Sequence, residues 1–274
     1  MKIWVNGALR TADEAHVSVF DHGLTVGDGV FETLKAVHGR PFALTRHLER
    51  LARSARGLGL PEPDLDEVRA ACAAVLDASP TPLGRLRVTY TGGLSPLGSD
   101  RGGNGPTLVV ALGEAHPAPP STAVVTVPWV RNERGALSGL KTTSYGENVV
   151  ALARAHEQEA SEALFANTVG QLCEGTGSNV FVVVDGELHT PPLASGCLAG
   201  ITRALVVEWA GARETDLPMD VLDRAEEVFL TSSLRDVQAV HRVDDRDLAQ
   251  APGPVTAKAL RIFQERSAAD PDPL

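Results

Sequence analysis

The sequence predicts a mixed α/β (α+β) protein built as two domains, and three observations predict it. Strand-like alternation and helix-like apolar spacing follow one another along the whole chain. The stretch His116-Pro117-Ala118-Pro119-Pro120-Ser121 can continue neither kind of element and so marks a break. The chain of 274 residues is 43% hydrophobic, which is enough apolar material for two modest cores. The expected division is a small N-terminal α/β domain over residues 1–115, an interdomain linker over 116–122 and a larger C-terminal α/β domain over 123–274.

The elements can be justified in order. Residues 1–10 read as strand broken at Asn6-Gly7, a good hairpin dipeptide. Residues 17–20 and 29–37 read as further strands, the second closed by His38-Gly39. Leu44, Leu48, Leu51, Ala55 and Leu58 recur at helical spacing across 43–58, and 64–76 forms a second helix. Strands at 83–91 and 107–112 flank a loop rich in Gly, Pro, Ser and Asp. Beyond the break, a strand over 123–130 precedes a helix over 147–158. Short strands at 164–166, 179–184 and 187–189 form an antiparallel group around Asp185-Gly186. A helix over 202–210, a strand over 227–231 and a helix over 255–266 follow. The tail 268–274, with two prolines and two aspartates, is expected to fray.

Charge and cysteine content limit the function. A net charge of −10 argues against a nucleic-acid surface, which normally carries a basic stripe. A local arginine cluster can still serve an anionic substrate. Cys72, Cys173 and Cys197 are odd in number and widely spaced, with no metal-binding pattern, as in a reduced cytoplasmic protein. The start of the sequence lacks the apolar core of a signal peptide, and no apolar run reaches the roughly 18 residues of a membrane span. The expected partners are small molecules, without nucleic acid, membrane or metal.

Four short motifs carry the chemistry. Lys141, in Leu140-Lys141-Thr142, is an amine that can condense with an aldehyde, and Arg131 and Arg134 upstream favour its neutral form. Glu174, in Glu174-Gly175-Thr176-Gly177-Ser178-Asn179, is a carboxylate that can keep a pyridine nitrogen protonated. The small residues after it allow close backbone approach. Gly200-Ile201-Thr202-Arg203 opens a helix, whose first N–H groups and positive dipole end suit a phosphate. Ser232 and Ser233 can add hydroxyl donors. Arg46, Arg50 and Arg53, around His47-Leu48, supply guanidinium forks on one helix, among which spacing alone does not choose. Amine, carboxylate and phosphate groups together are the handles of pyridoxal 5'-phosphate (PLP).

In order and spacing these motifs resemble those of the fold-type IV, class IV aminotransferase family, over nearly the whole chain. Glu-Gly-x-Gly-x-Asn-hydrophobic-Phe, here residues 174–181, is fairly specific to it, and Gly27-Asp28-Gly29-Val30-Phe31-Glu32-Thr33 resembles its N-terminal signature. The resemblance implies PLP as cofactor, Lys141 as the catalytic residue, and PLP contacts from Arg50, Lys141, Glu174, Ile201, Thr202, Ser232 and Ser233. It also implies a homodimer, with the cofactor between the two domains.

Within the family, residues 27–33 look like the D-amino-acid aminotransferase and aminodeoxychorismate lyase branch. The expected reaction is amino transfer from a D-amino acid or (R)-amine to a keto acid, with the lyase reaction, loss of pyruvate from aminodeoxychorismate, as the alternative. The familiar partners of the substrate carboxylate are missing from the loop after Tyr90. Phe31, Arg85, Arg87, Tyr90 and Tyr145 are therefore the candidate substrate contacts, with Arg101 as a further cation.

Overall fold

Six strands early in the chain pair into one antiparallel sheet, and its two faces set where the chemistry can lie. The computed structural model describes residues 1–274. Contacts divide them into a first unit, Met1–His116, Leu140–Ser144 and Asp270–Leu274, and a second, Pro117–Gly139 and Tyr145–Ala269. Lys141 thus belongs to the first unit, although it follows the proline-rich break.

The first unit contains β1 (Lys2–Val5), β2 (Ala8–Thr11), α1 (His22–Thr25), β3 (Gly29–Val37), β4 (Arg40–Pro41), α2 (Leu44–Leu58), α3 (Leu65–Ala78), β5 (Leu83–Thr91) and β6 (Thr107–Glu114). The strand order is β2-β1-β6-β5-β3-β4. Val30, Leu34 and Ala36 of β3 and Leu86, Val88 and Tyr90 of β5 join one core. That core also takes Leu48 and Leu51 of α2 and Val68 and Val75 of α3. Alternation then sends Phe31, Thr33 and Lys35, with Arg85, Arg87 and Thr89, to the opposite face.

Residues 17–20 are not a strand. The Asp21 N–H bonds to the Ser18 carbonyl and the Phe20 N–H to the Ser18 hydroxyl. The Asp21 side chain then caps α1. Local turn chemistry outweighs the β propensity of Val17, Val19 and Phe20. The C-terminal tail does not fray either. α2 begins at Ala43 without a side-chain cap, and the tail supplies the missing acceptors. Ala43 N–H donates to the Pro271 carbonyl, and the Thr45 N–H and hydroxyl both donate to the Asp272 carboxylate.

The second unit holds β7 (Ser121–Arg131), α4 (Gly146–Glu157), β8 (Glu162–Asn167), β9 (Leu172–Gly175), β10 (Asn179–Val184) and β11 (Glu187–Thr190), then α5 (Ile201–Ala210) and β12 (Arg213–Glu214). The chain ends with α6 (Val221–Arg224), β13 (Glu227–Ser232), β14 (Asp236–Val243), β15 (Arg246–Asp247) and α7 (Pro254–Ala269). Its sheet runs β12-β11-β10-β13-β14-β7-β8-β9, with β15 on β14. Every residue of β10 is buried, as expected of a strand covered on both faces. Val180 and Val182 pack with Leu222 of α6, whereas Phe181 stacks on Phe229, their ring centroids 4.7 Å apart. β14 escapes the alternation rule because its pairing with β7 shifts register between Val240 and Arg242.

A buried ion cluster pins the long loop of the first unit. His22 Nδ1 lies 2.7 Å from the Asp28 carboxylate and Nε2 lies 2.9 Å from the Gly98 carbonyl. Both partners only accept, so the ring donates from both nitrogens as an imidazolium. The bond to Asp28 accordingly raises the His22 pKa. Arg101 donates from Nε and Nη2 to the same Asp28 and spends its other donors on the carbonyls of Leu58 and Gly59. Because the folded pKa of His22 lies above its unfolded value, its stabilising contribution is complete below about pH 6.5 and is lost as pH rises through the folded pKa. Urea unfolding from pH 6 to 9 should therefore show a loss of stability on the alkaline side, and His22→Gln should remove most of that slope. An unchanged slope in the variant would contradict the assignment.

Candidate active site

In the first unit, the chain returns after Gly139 and pairs along the edge of β3. Phe31 N–H donates to the Lys141 carbonyl at 3.0 Å and Thr143 N–H to the Gly29 carbonyl at 2.8 Å. The Thr143 hydroxyl adds a bond to the Gly27 carbonyl. On its other side, the Lys141 N–H donates to the Ser54 hydroxyl of α2 at 3.2 Å. Gly57 leaves room for Leu140, since a Cβ there would lie 2.6 Å from the Leu140 side chain. Lys141 is thus held by its own backbone from two directions. Its Nζ sits 4.4 Å from the centroid of the Phe31 ring, and the Arg87 guanidinium lies 3.7 Å from the same centroid.

Behind that strand lies a buried ionic triad. Arg50 donates from Nε and Nη2 to the two oxygens of Glu32, and His47 Nδ1 lies 2.6 Å from the same carboxylate. Burial alone would raise the Glu32 pKa, but the Arg50 charge and both sets of hydrogen bonds outweigh it and bring it down to about 2. Burial pushes His47 toward the neutral form. The triad fixes Arg50 on α2 to the strand that carries Phe31.

In the second unit, Glu174 lies in β9 with both carboxylate oxygens engaged. Arg131 Nε donates to one at 3.1 Å, and the Leu198 N–H donates to the other at 2.9 Å. Arg131 is itself held over the Phe165 ring at 4.0 Å and by Asn148. The small-residue turn after Glu174 is anchored by buried Glu162, which accepts from the Thr176 N–H and hydroxyl and from the Ser178 hydroxyl. Asn179 donates to the Leu198 carbonyl, so the residue that steadies Glu174 is steadied in turn.

The same segment leads into α5. Gly200 is its N-cap and offers no side-chain cap. A Cβ at Gly200 would lie 2.0 Å from Asn179 Oδ1, so only glycine fits. The N–H groups of Ile201 and Thr202 are the first of the helix and find no intrahelical acceptor. Thr231, which pairs with Asn179 across the strands, has a buried hydroxyl with no hydrogen-bond partner. A glycine cradle, uncapped donors and an orphaned hydroxyl fit a phosphate, and Glu174 fits a ring nitrogen. The donor set in this chain is therefore suited to PLP. When bound, PLP supplies an electron-withdrawing ring that stabilises charge left at the substrate carbon after proton loss.

The remaining expected residues fall as follows. Ser232 ends β13, and its hydroxyl accepts from the Arg235 N–H; Ser233 follows it. Tyr145 is the N-cap of α4. Arg85 is exposed on the Phe31 face, opposite Lys35. Tyr90 is a correction. It lies opposite Val30 and packs in the core with α2 and α3, so its ring is on the face away from Phe31. Its parity with Leu86 and Val88 carries that information. Arg101 is likewise spent on Asp28. Arg134 is 80% exposed and lies beside Glu133, while Arg131 serves Glu174. Ser54 and Leu198 have no motif signature, and the motifs that contain Glu32 and Asn179 do not reveal their partners; all four act through hydrogen bonds between elements distant in sequence.

The first unit thus holds a backbone-anchored lysine, and the second a doubly held glutamate and an uncapped helix that starts at a glycine. Residues 29–243 match the family model for amino-transferase class IV, and the chain belongs to that family. It is 32% identical to a putative branched-chain-amino-acid aminotransferase of Methanocaldococcus jannaschii, over 97% of this chain and 96% of that protein. It is also 32% identical to a bifunctional aminodeoxychorismate lyase / D-amino acid transaminase of Mycobacterium tuberculosis, over 82% of this chain and 85% of that protein. A hypothetical aminotransferase from Mycobacterium tuberculosis, solved in a PLP-bound form, superimposes with a TM-score of 0.87 at 27% identity, covering 98% of this chain and all of that one (100%). No helix is long and apolar enough to cross a membrane.

The crowding at Gly200 generates a prediction. Its backbone angles, φ −66° and ψ 135°, suit any residue, so Gly200→Ala acts only through the collision with Asn179. Displacing the start of α5 should cost at least one charge-assisted bond and weaken PLP binding about ten- to a hundredfold. Fluorescence titration of the apoprotein measures this; unaltered affinity would contradict the cradle.

Proposed function

We propose that this protein transfers an amino group from an amino acid to a keto acid, with D-amino acids as the preferred donors. The observation that carries the reading is the setting of Lys141: its main chain is bonded to Phe31 and to Ser54, and its Nζ rests on the Phe31 ring. An amine so placed can take the α-proton of a donor and return it nearby, as a positioned general base and acid. Glu174, kept as an acceptor by Arg131 and Leu198, would hold the ring nitrogen of PLP. Ile201 and Thr202, with the Ser232 and Ser233 hydroxyls, would hold its phosphate. Arg50, fixed to Glu32 through Nε and Nη2, would add a guanidinium charge to the phosphate site. Phe31 and Tyr145 would border the substrate.

The D-preference is supported by the Gly27–Thr33 stretch and by the name of the Mycobacterium tuberculosis relative. That name also favours a second reading, aminodeoxychorismate lyase, which would use the same first proton abstraction. A homodimer is part of the proposal. Val17, Val19, Phe20, Leu24, Leu94 and Leu97 form an exposed apolar group on the first unit, of the kind that a second copy covers.

Absorbance of the PLP-loaded protein tests the reading through half-reactions with D-alanine, L-leucine and aminodeoxychorismate. D-Alanine should shift the cofactor band toward the pyridoxamine form. Lys141→Ala should slow that shift by about 10²- to 10⁴-fold, the scale of a lost general base. Glu174→Gln should bind PLP and lose most of the rate. A shift only with L-leucine would overturn the stereochemical part. Pyruvate release from aminodeoxychorismate without any shift on amino acids would establish the lyase.

A further inference from the structure

One face of the sheet in the first unit is cationic although the chain as a whole is acidic. On that face β3 presents Phe31, Thr33 and Lys35, and β5 presents Arg85, Arg87 and Thr89, with Thr33 opposite Arg87 and Lys35 opposite Arg85. No carboxylate residue occupies these positions of the two strands. Arg87 does not extend straight outward. It lies back toward Phe31, two residues along the pleat from its own cross-strand neighbour, and its guanidinium stacks 3.7 Å from the ring centroid. Lys141 Nζ is 4.4 Å from that centroid. The two cations are therefore separated by no more than these two distances laid end to end, with one aromatic ring as their common support.

The charge on Arg87 draws an anion to this side of the ring. The Arg87 guanidinium is exposed, lies on an aromatic face and has its Nε 3.4 Å from the Thr89 hydroxyl; a guanidinium presented in this way can receive a carboxylate through its two terminal nitrogens at about 2.8 Å. An amino acid carries its carboxylate one carbon from its amino group, so an amine handled at Lys141 brings that carboxylate within reach of Arg87. The other two arginine candidates fail on placement. Arg101 has its donors on Asp28, Leu58 and Gly59. Arg85 is one pleat farther from Phe31, opposite Lys35.

We propose that Arg87, stacked on Phe31 beside Lys141, receives the substrate carboxylate and so makes this a site for amino acids and keto acids in preference to simple amines. The proposal rests on the amino-transfer reading, and its test separates the two. The PLP-loaded protein and its Arg87→Ala and Arg87→Lys variants are compared in half-reactions with D-alanine, L-leucine and (R)-2-aminobutane, which lacks a carboxylate. Propionate, an unreactive carboxylate, is titrated onto each by calorimetry.

Arg87→Ala should raise the KM for the accepted amino acid, and the Kd for propionate, about ten- to a hundredfold, the scale of a lost charge-assisted pair. The rate with the amine should fall much less than that with the amino acid, and Arg87→Lys should recover part of the loss because charge remains and the fork does not. Equal losses on amino acid and amine would show that Arg87 only supports the fold and would overturn the proposal. Unchanged KM and propionate affinity would overturn it as well. If the wild type reacts with no amino donor, the amino-transfer reading fails, while the propionate titration still reports on Arg87.

Discussion

The arrangement around Lys141 depends on one backbone pairing, the return of Leu140–Ser144 along the edge of β3. β4 pairs only with Ala36 and Val37, so the front of β3 presents donors and acceptors that must be satisfied. The returning segment meets that need at Gly29 and Phe31 and bridges Val30 to Thr142. Register does the rest. Because the Lys141 carbonyl meets Phe31 and its N–H meets Ser54, its side chain comes onto the Phe31 ring. A slip of one residue would send the amine to the opposite face.

Charge is organised in the same local manner. Arg50 and His47 converge on Glu32, His22 and Arg101 on Asp28, and Arg131 on Glu174. Glu32, Asp28 and Glu174 each meet an arginine from elsewhere in their own unit, while buried Asp21 and Glu227 accept from backbone N–H and threonine hydroxyl groups instead. Removing either member of the Glu32–Arg50 pair would strand a charge in the core, at a cost of about 3–5 kcal/mol. Lys35, Arg85 and Arg87 lie instead on the Phe31 side of the sheet. The site is thus locally positive in a chain of net charge −10.

Much of this was legible in sequence where the signal is local. β3 and β5 were readable to the residue from alternation and their closing turns, and α2 from its apolar spacing. Lys141, Glu174 and the Gly200 helix start were readable because chemistry confines them to short motifs. What escaped depends on distant partners. Arg131 and Leu198 meet Glu174 from 43 and 24 residues away, and Asp272 accepts from Thr45 in the first turn of α2, 227 residues earlier. Val17–Phe20 has strand-forming residues but is claimed by the Ser18 and Asp21 turn bonds. Tyr90 shares the parity of Leu86 and Val88, which turns its ring into the core and away from Phe31.

The central claim is a covalent attachment at Lys141. The chain has three other lysines, Lys2, Lys35 and Lys258, which makes the attachment point unambiguous. Borohydride reduction of the PLP-loaded protein, followed by peptide mass spectrometry, reads it directly. The account predicts a phosphopyridoxyl group on the peptide containing Lys141 and on no other. The same group on Lys2, Lys35 or Lys258, or on none of the four, would contradict it.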